Sequence, residues 1–279
     1  MQKEHPVNLL TPAIETAIAA DIVQPLLAGQ FQAANETIRA TLIQLYESIP
    51  DNKRISYGRV HTIKTMSHVL YRRLAESDAP ILPIATTLFR QSADFWNAGV
   101  ALGLISFCGI EDYRPVLPYF ESAASSESWD VREFAQMFFR KLIKKYPDEM
   151  HHFLTGLADS EDPHLRRFVA ESLRPVQENQ WFYKQPEYPL SILRTMFRET
   201  SPYPRTAVGN NLSDLARRLP QAVFDIVREL VGSGDKNSYW IAYRACRNLV
   251  KTEPIRVMDI LNVDEYTYKK RVHRRRDYS

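Results

Sequence analysis

Four stretches of this chain place cations, carboxylates and aromatic rings at helical spacing. Arg167, Glu171 and Arg174 fall at i, i+4 and i+7, so they share one helical face. Asn210, Asp214 and Arg217 line one side of a helix that Arg205 leads. Trp240, Arg244, Arg247 and Lys251 fall at i, i+4, i+7 and i+11, and Glu133, Gln136 and Arg140 align on a fourth helix. Arginines so arranged can hold phosphates while an aromatic face meets a base. The same residues can also satisfy one another. Glu171 has Arg167 and Arg174 within one turn, and Asp214 has Arg217 and Arg218 beside it, so local ion pairs on a solvated face account for them equally well. Spacing alone leaves both readings open.

Other chemistries find little footing. His151 and His152 are adjacent on one helix, with no cysteine cluster and no histidine one turn away, so no metal site is expected. With 9 glycines, the chain shows no phosphate-cradling loop, no dinucleotide fingerprint and no nucleophile elbow. Its two cysteines, Cys108 and Cys246, read as buried free thiols of a reducing compartment.

The elements that must position these faces are marked by prolines. The pattern Pro147-x-x-Met150-x-x-Phe153-Leu154 returns as Pro186-x-x-Pro189-x-x-Ile192-Leu193, as Pro220-x-x-Val223-x-x-Ile226-Val227 and as Pro254-x-x-Val257-x-x-Ile260-Leu261, at intervals of 39, 34 and 34 residues. Proline suits the first turn of a helix, where its missing N–H has no partner anyway. Apolar residues at +3, +6 and +7 then form one stripe, and a period of this length marks a helical-repeat solenoid. Partner helices are expected over Trp129–Lys145, Pro163–Arg174, Pro204–Arg218 and Tyr239–Lys251. Two core stripes fit them: Val131, Phe134, Phe138 and Leu142, then Val208, Leu212, Leu215 and Leu219. Stacked side by side, their polar faces would merge into one concave, mostly basic surface. The expected architecture is a single all-α domain over residues 1–279. It has capping helices over 8–60, including 13–20 and 33–48, repeats over 60–263 and a basic tail over 264–279. Asp51–Tyr57 reads as a polar link. Gln177–Pro189 reads as a long connection carrying Trp181, Phe182 and Tyr183, of a length more often functional than decorative. No period-two strand or tight hairpin turn stands out.

Hydrophobic residues at 44% and charged residues at 25% are ordinary for a soluble folded protein. The start, Met1 to Pro6, has no apolar core and no small-residue cleavage site. The 16-residue run Phe95–Ile110, which contains Asn97, Gly99, Gly103 and Ser106, is short for a membrane span and reads as a buried helix. A cytoplasmic location and no membrane partner are expected. The net charge of +3 is unevenly placed. Residues 269–279 hold six cations (Lys269, Lys270, Arg271, Arg274, Arg275, Arg276) against Asp277, giving +5, and leave −2 on the rest. Such a tail suits a polyanion, whose counterions it would release, and suits a solvated, disordered terminus equally.

The helices between the prolines carry a resemblance. Tyr203-Pro-Arg205-Thr-Ala-Val208-Gly-Asn210-Asn-Leu212-Ser-Asp214-Leu-Ala-Arg217-Arg-Leu-Pro220 resembles the Y-x-R-x-S-V-A-N-x-L-x-D-I-S-K-x-x-P stretch of the HEAT-like repeat DNA alkylation repair family, the AlkC/AlkD-type alkylbase DNA glycosylases. Trp240-Ile-Ala-Tyr-Arg244-Ala-Cys-Arg247-Asn-Leu249-Val-Lys251 is similar to its W-I-x-x-H-A-L-R-x-L-x-K. Trp129-Asp-Val-Arg132-Glu133-Phe-Ala is similar to W-x-V-R-E-x-A, and Arg166-Arg167-Phe-Val-Ala-Glu171-Ser-Leu-Arg174-Pro175 to R-R-x-x-x-E-x-x-R-P. These motifs run in order across about residues 127–261. The chain departs from the pattern at Gly209, where alanine is usual, and at Arg244, where histidine is common.

The resemblance implies a HEAT-like α–α superhelix that cradles double-stranded DNA and removes cationic N3- or N7-alkylated bases by hydrolysis, as a monomer and with no metal or cofactor. It further implies Asp214, Glu171 and Glu133 as catalytic carboxylates. Trp181 and Trp240 would be lesion contacts, and Arg166, Arg205, Arg244, Arg247 and Lys251 DNA-backbone contacts. Two other readings of the same repeats stand beside it: a non-catalytic HEAT-like DNA-binding protein, and a protein–protein scaffold.

Overall fold

The computed structural model describes residues 7–278, and of residues 55–57 the backbone only. The opening hexapeptide, on which the expectation of no leader rested, lies outside the described residues. The regular structure is almost entirely helical and divides into two compact units, Met1–Leu142 and Ile143–Ser279.

The N-terminal unit begins with α1 (Pro12–Ile18), continues through a π-helical turn (Ala19–Val23) into α2 (Gln24–Leu27), and then runs α3 (Phe31–Ser48), α4 (Asp51–Ala75), α5 (Ile81–Arg90), α6 (Phe95–Glu111) and α7 (Leu117–Ala124). Helix α8 (Trp129–Lys145) closes it and carries the boundary. The stretch Asp51–Tyr57, expected as a polar link, is instead the start of α4. Pro50 occupies the N-cap and Asp51 the first turn, where a carboxylate suits the helix dipole. Arg54 folds back to donate to Ile49 O (3.1 and 2.9 Å) and Glu47 O (2.8 Å), closing the end of α3. These residues are polar because they form a junction between two helices.

The apolar run Phe95–Ile110 forms α6, which is buried along most of its length against α3, α4 and α5. The small residues inside it are packing devices. A Cβ at Gly103 would lie 2.2 Å from Ser67 Oγ, and that hydroxyl donates to Ile63 O (2.8 Å) and Val100 O (3.3 Å). No helix among the described residues is long and apolar enough to cross a membrane.

The C-terminal unit follows the proline pattern closely. Its helices are α9 (Pro147–Ala158), α10 (Pro163–Ser172), α11 (Glu187–Thr195), α12 (Pro202–Leu215), α13 (Pro220–Gly232), α14 (Lys236–Leu249) and α15 (Pro254–Leu261). Proline sits in the first turn of α9, α13 and α15, and Pro186 takes the N-cap of α11. Met150, Leu154, Ile192, Leu193, Val223, Ile226, Val227, Val257 and Leu261 of the stripe are buried. Asp162 and Asp235 cap α10 and α14, their side chains accepting from His164 N and from Asn237 N and Ser238 N.

Helix α12 packs between α10 and α14, whereas α11 packs on α9 and α15 on α13. Side-chain amides fix the register of the row α10–α12–α14. Asn211 donates to Ala170 O (2.9 Å) and Asn248 to Ser213 O (2.8 Å), so each helix is tied to the backbone of the one before it. A buried carbonyl left without such a donor would cost about 1–3 kcal/mol.

The segment Gln177–Pro189, expected as a long connection, contains a 3-10 helix over Gln177–Tyr183 and the start of α11. Where no strand stood out in the sequence, β1 (Glu265–Tyr268) and β2 (Arg271–Arg274) form an antiparallel hairpin with Tyr268 opposite Arg271.

Candidate functional site

The row α10–α12–α14 brings several sequence-derived candidates together, and it does so between helices. Glu171 on α10 is 2% exposed. Its carboxylate receives Arg167 Nη2 (3.0 Å) and Arg174 Nη1 (3.1 Å). Arg174, just beyond the helix end, also reaches across to α12. Its Nη2 and Nε donate to Asp214 Oδ2 at 2.5 and 3.1 Å. Asp214 is 7% exposed and is further approached by Arg217 Nη2 (3.4 Å) and by Arg247 Nη2 of α14 (3.5 Å). One guanidinium therefore bridges the two carboxylates. Burial alone would depress Arg174, but the charges of Glu171 and Asp214 and the bonds to them outweigh it and hold the group above the usual arginine range.

Helix α14 supplies a second layer of cations. Arg247 donates from Nε to Ser213 Oγ (3.1 Å) and from Nη1 to Asn210 Oδ1 (2.9 Å) and Tyr268 Oη (3.2 Å). Arg244 Nε also donates to Asn210 Oδ1 (2.9 Å). Desolvation, with Arg247 and Arg167 nearby, holds Arg244 below the usual arginine range. Trp240 lies beneath two cations, Arg205 of α12 at 4.7 Å and Arg244 at 5.5 Å from its ring. Such contacts contribute about 0.5–2 kcal/mol each. Arg205 also donates to Asn237 Oδ1. Trp240 thus presents an arginine platform.

The two departures from the family pattern are coupled. A Cβ at Gly209 would stand 2.9 Å from Arg244 Cβ and 3.1 Å from its Cγ and Cδ. The missing methyl is the space through which the arginine stem crosses α12. Gly209→Ala gains about 1 kcal/mol of helix propensity but forces the backbone-anchored Arg244 Cβ aside, an overpacking cost of about 1–3 kcal/mol. The expected net result is a lower melting temperature, read by thermal denaturation.

The other candidates make separate contacts. Arg166 is committed elsewhere: Nε and Nη2 pair with buried Glu199 (2.7 and 3.0 Å), and Nη1 donates to Ser160 O and Glu161 O. Trp181, half-buried in the 3-10 segment, packs on Phe182 (4.5 Å) and Tyr188 (4.9 Å), and its Nε1 is buried without a hydrogen-bond partner. Lys251 is exposed at the end of the row and donates to Asn248 Oδ1 (2.8 Å). Glu133, on α8 in the N-terminal unit, accepts from Gln136 Nε2 (2.5 Å). Among the described residues, no group of three or more His, Cys, Asp and Glu could hold a metal ion.

The contacts of three residues at the site had no signal in the sequence. Arg174 was visible as a neighbour of Glu171, but its reach to Asp214, 40 positions away, had no local signal. Tyr268 belongs to a strand too short to show a period. Tyr183 has its ring beneath Arg218 (4.7 Å), the cation that sequence reading placed beside Asp214.

The all-α order of helices is what this chain can be compared by. No family model matches the sequence, and no curated protein does. Solved structures do share the fold. The Pseudomonas fluorescens alkylpurine DNA glycosylase AlkC, bound to DNA containing an abasic site analog, aligns over 92% of this chain and 70% of its own, with a TM-score of 0.58 at 16% identity. AlkD2 from Streptococcus mutans aligns over 75% of this chain and 98% of its own (TM-score 0.55, 18% identity). The smu.31 protein from Streptococcus mutans UA159 aligns over 66% and 98% (TM-score 0.52, 19% identity). At these identities the likeness is one of fold.

Proposed function

We propose that this chain is a cytoplasmic, monomeric DNA-repair glycosylase that binds duplex DNA and hydrolyses the N-glycosidic bond of cationic N3- or N7-alkylated bases. The observation that carries the reading is the Glu171–Arg174–Asp214 bridge within an arginine-lined row, on a fold shared with an alkylpurine DNA glycosylase. A cationic base is already a good leaving group, so the chemistry asks little beyond electrostatics. As the bond breaks the sugar becomes oxocarbenium-like, and a fixed carboxylate stabilises that charge and orients water. Asp214 and Glu171 take that role, with Glu133 as a third carboxylate. Arg205, Arg244, Arg247 and Lys251 take the phosphates, and Trp181 and Trp240 lie beside the lesion. No metal or cofactor takes part. Incubating the protein with methylated duplex DNA should release N3- or N7-methylpurine, detected by chromatography. Absence of release at saturating protein would overturn the reading.

One observation favours a second reading. Glu171 is neutralised by two arginines and Asp214 by three, an arrangement that also suits a protein that grips DNA without cutting the glycosidic bond. That protein would bind the same duplex in a strongly salt-dependent way and release nothing.

A further inference from the structure

The C-terminal hairpin is fastened to α14 at one end and unneutralised at the other. At its root Tyr266 is fully buried, stacks on Tyr243 at 4.5 Å and donates from its hydroxyl to Tyr243 O (2.8 Å). Tyr243 Oη in turn accepts from Thr267 N (2.7 Å) and donates to Thr267 O (3.1 Å). The cations near the root are paired: Arg274 with Glu265 (3.1 Å), and Arg275 with Asp259 (2.6 Å) and Asp264 (3.5 Å). The tip differs. Lys269, in the left-handed region at φ 56°, turns the chain, and Lys269, Lys270 and Arg271 are all exposed. None of the three has a carboxylate partner among the described residues, and Lys269 only overlies the Tyr268 ring at 5.8 Å. Tyr268 fixes where this tip stands, because its hydroxyl accepts from Arg247, the residue that approaches Asp214. Although burial pushes the Tyr268 hydroxyl up, the Arg247 bond and the charges of Arg247, Arg244 and Lys269 bring it below the usual tyrosine range.

We propose that the tip Lys269-Lys270-Arg271 is a phosphate-gripping finger, held by Tyr268 beside the α10–α12–α14 row, that clasps the backbone of the duplex bound there. The inference rests on the DNA-binding part of the reading above and does not depend on catalysis. The sorting of charge supports it, since the cations needed to dock the hairpin are neutralised and those at its tip are not. Exposed cations without partners gain by releasing phosphate counterions, each contact adding about 0.9 to the slope of log K against log salt.

The test is equilibrium binding of the full chain to unmodified duplex DNA across a salt series, with K269A/K270A/R271A and the charge-preserving K269R/K270R/R271K. The tip is exposed, so both variants should fold, as checked by circular dichroism. The neutral variant should lose at least about tenfold in affinity at physiological salt, with a slope shallower by about 2–3. The charge-preserving variant should bind as wild type. Unchanged affinity and slope in the neutral variant would overturn the finger while leaving the glycosylase reading intact. Wild-type binding without base release, together with a shallower slope in the neutral variant, would overturn catalysis and uphold the finger. A wild-type chain that binds no DNA would overturn both.

Discussion

Asparagine at position 214 is expected to cut the rate of base release by about 10²–10³-fold, the usual loss when one fixed electrostatic stabiliser of a transition state is removed. Asn keeps the shape of Asp and an oxygen acceptor for Arg174. It removes the charge that Arg174, Arg217 and Arg247 share. On the proposed function, those three cations would then meet a duplex with less internal compensation, so DNA affinity should hold or rise. This split separates the role from a merely structural one, in which binding and turnover would fall together. Single-turnover release and equilibrium binding, run in parallel on Asp214→Asn, decide between them. Release at the wild-type rate would remove Asp214 from the chemistry.

The largest expected effect on stability belongs to Glu171. Truncation to alanine leaves Arg167 at a buried position without its carboxylate partner, while Arg174 keeps Asp214. Breaking one side of a buried ion pair typically costs about 3–5 kcal/mol. The side chain of Glu171 is only 3% exposed, against 16% for Arg167 and 30% for Arg174, so about 3 kcal/mol is the expected loss. Urea denaturation should show a lower midpoint with an unchanged slope. Arg167→Met in the same chain should restore part of the loss, because it removes the stranded cation. A Glu171→Ala protein as stable as wild type would mean that solvent already screens the pair.

The helices of the C-terminal unit were legible in sequence because two independent signals coincide there. Proline fixes the first turn, and the apolar residues at +3, +6 and +7 fix the face. The start of α4 was not legible, because Asp51, Asn52 and Lys53 are polar for a junction and look like a linker. The hairpin was hidden for a similar reason. Its strands span four residues each, and a single buried tyrosine anchors it in a run of cations. At the site, helical spacing found Glu171, Asp214 and Arg247 but gave the two carboxylates only partners close to them in sequence. The structure shows pairs that also run between helices, such as Arg174 with Asp214 and Arg247 with Asn210. Periodicity within one helix says nothing of which neighbour a long side chain crosses to. The reach of Arg244 over Gly209 is the same case: each residue looked like an isolated departure, and only the packing of α14 on α12 joins them.

The bridging guanidinium of Arg174 constrains how this protein can change over generations. Because one cation serves both Glu171 and Asp214, neither acid can be exchanged without altering the electrostatic balance of the other, and their substitutions should be strongly non-additive. A lineage that lost one carboxylate would be left with surplus positive charge in the row until an arginine was lost as well. The viable route from one chemistry to another therefore runs through paired replacements, acid and arginine together.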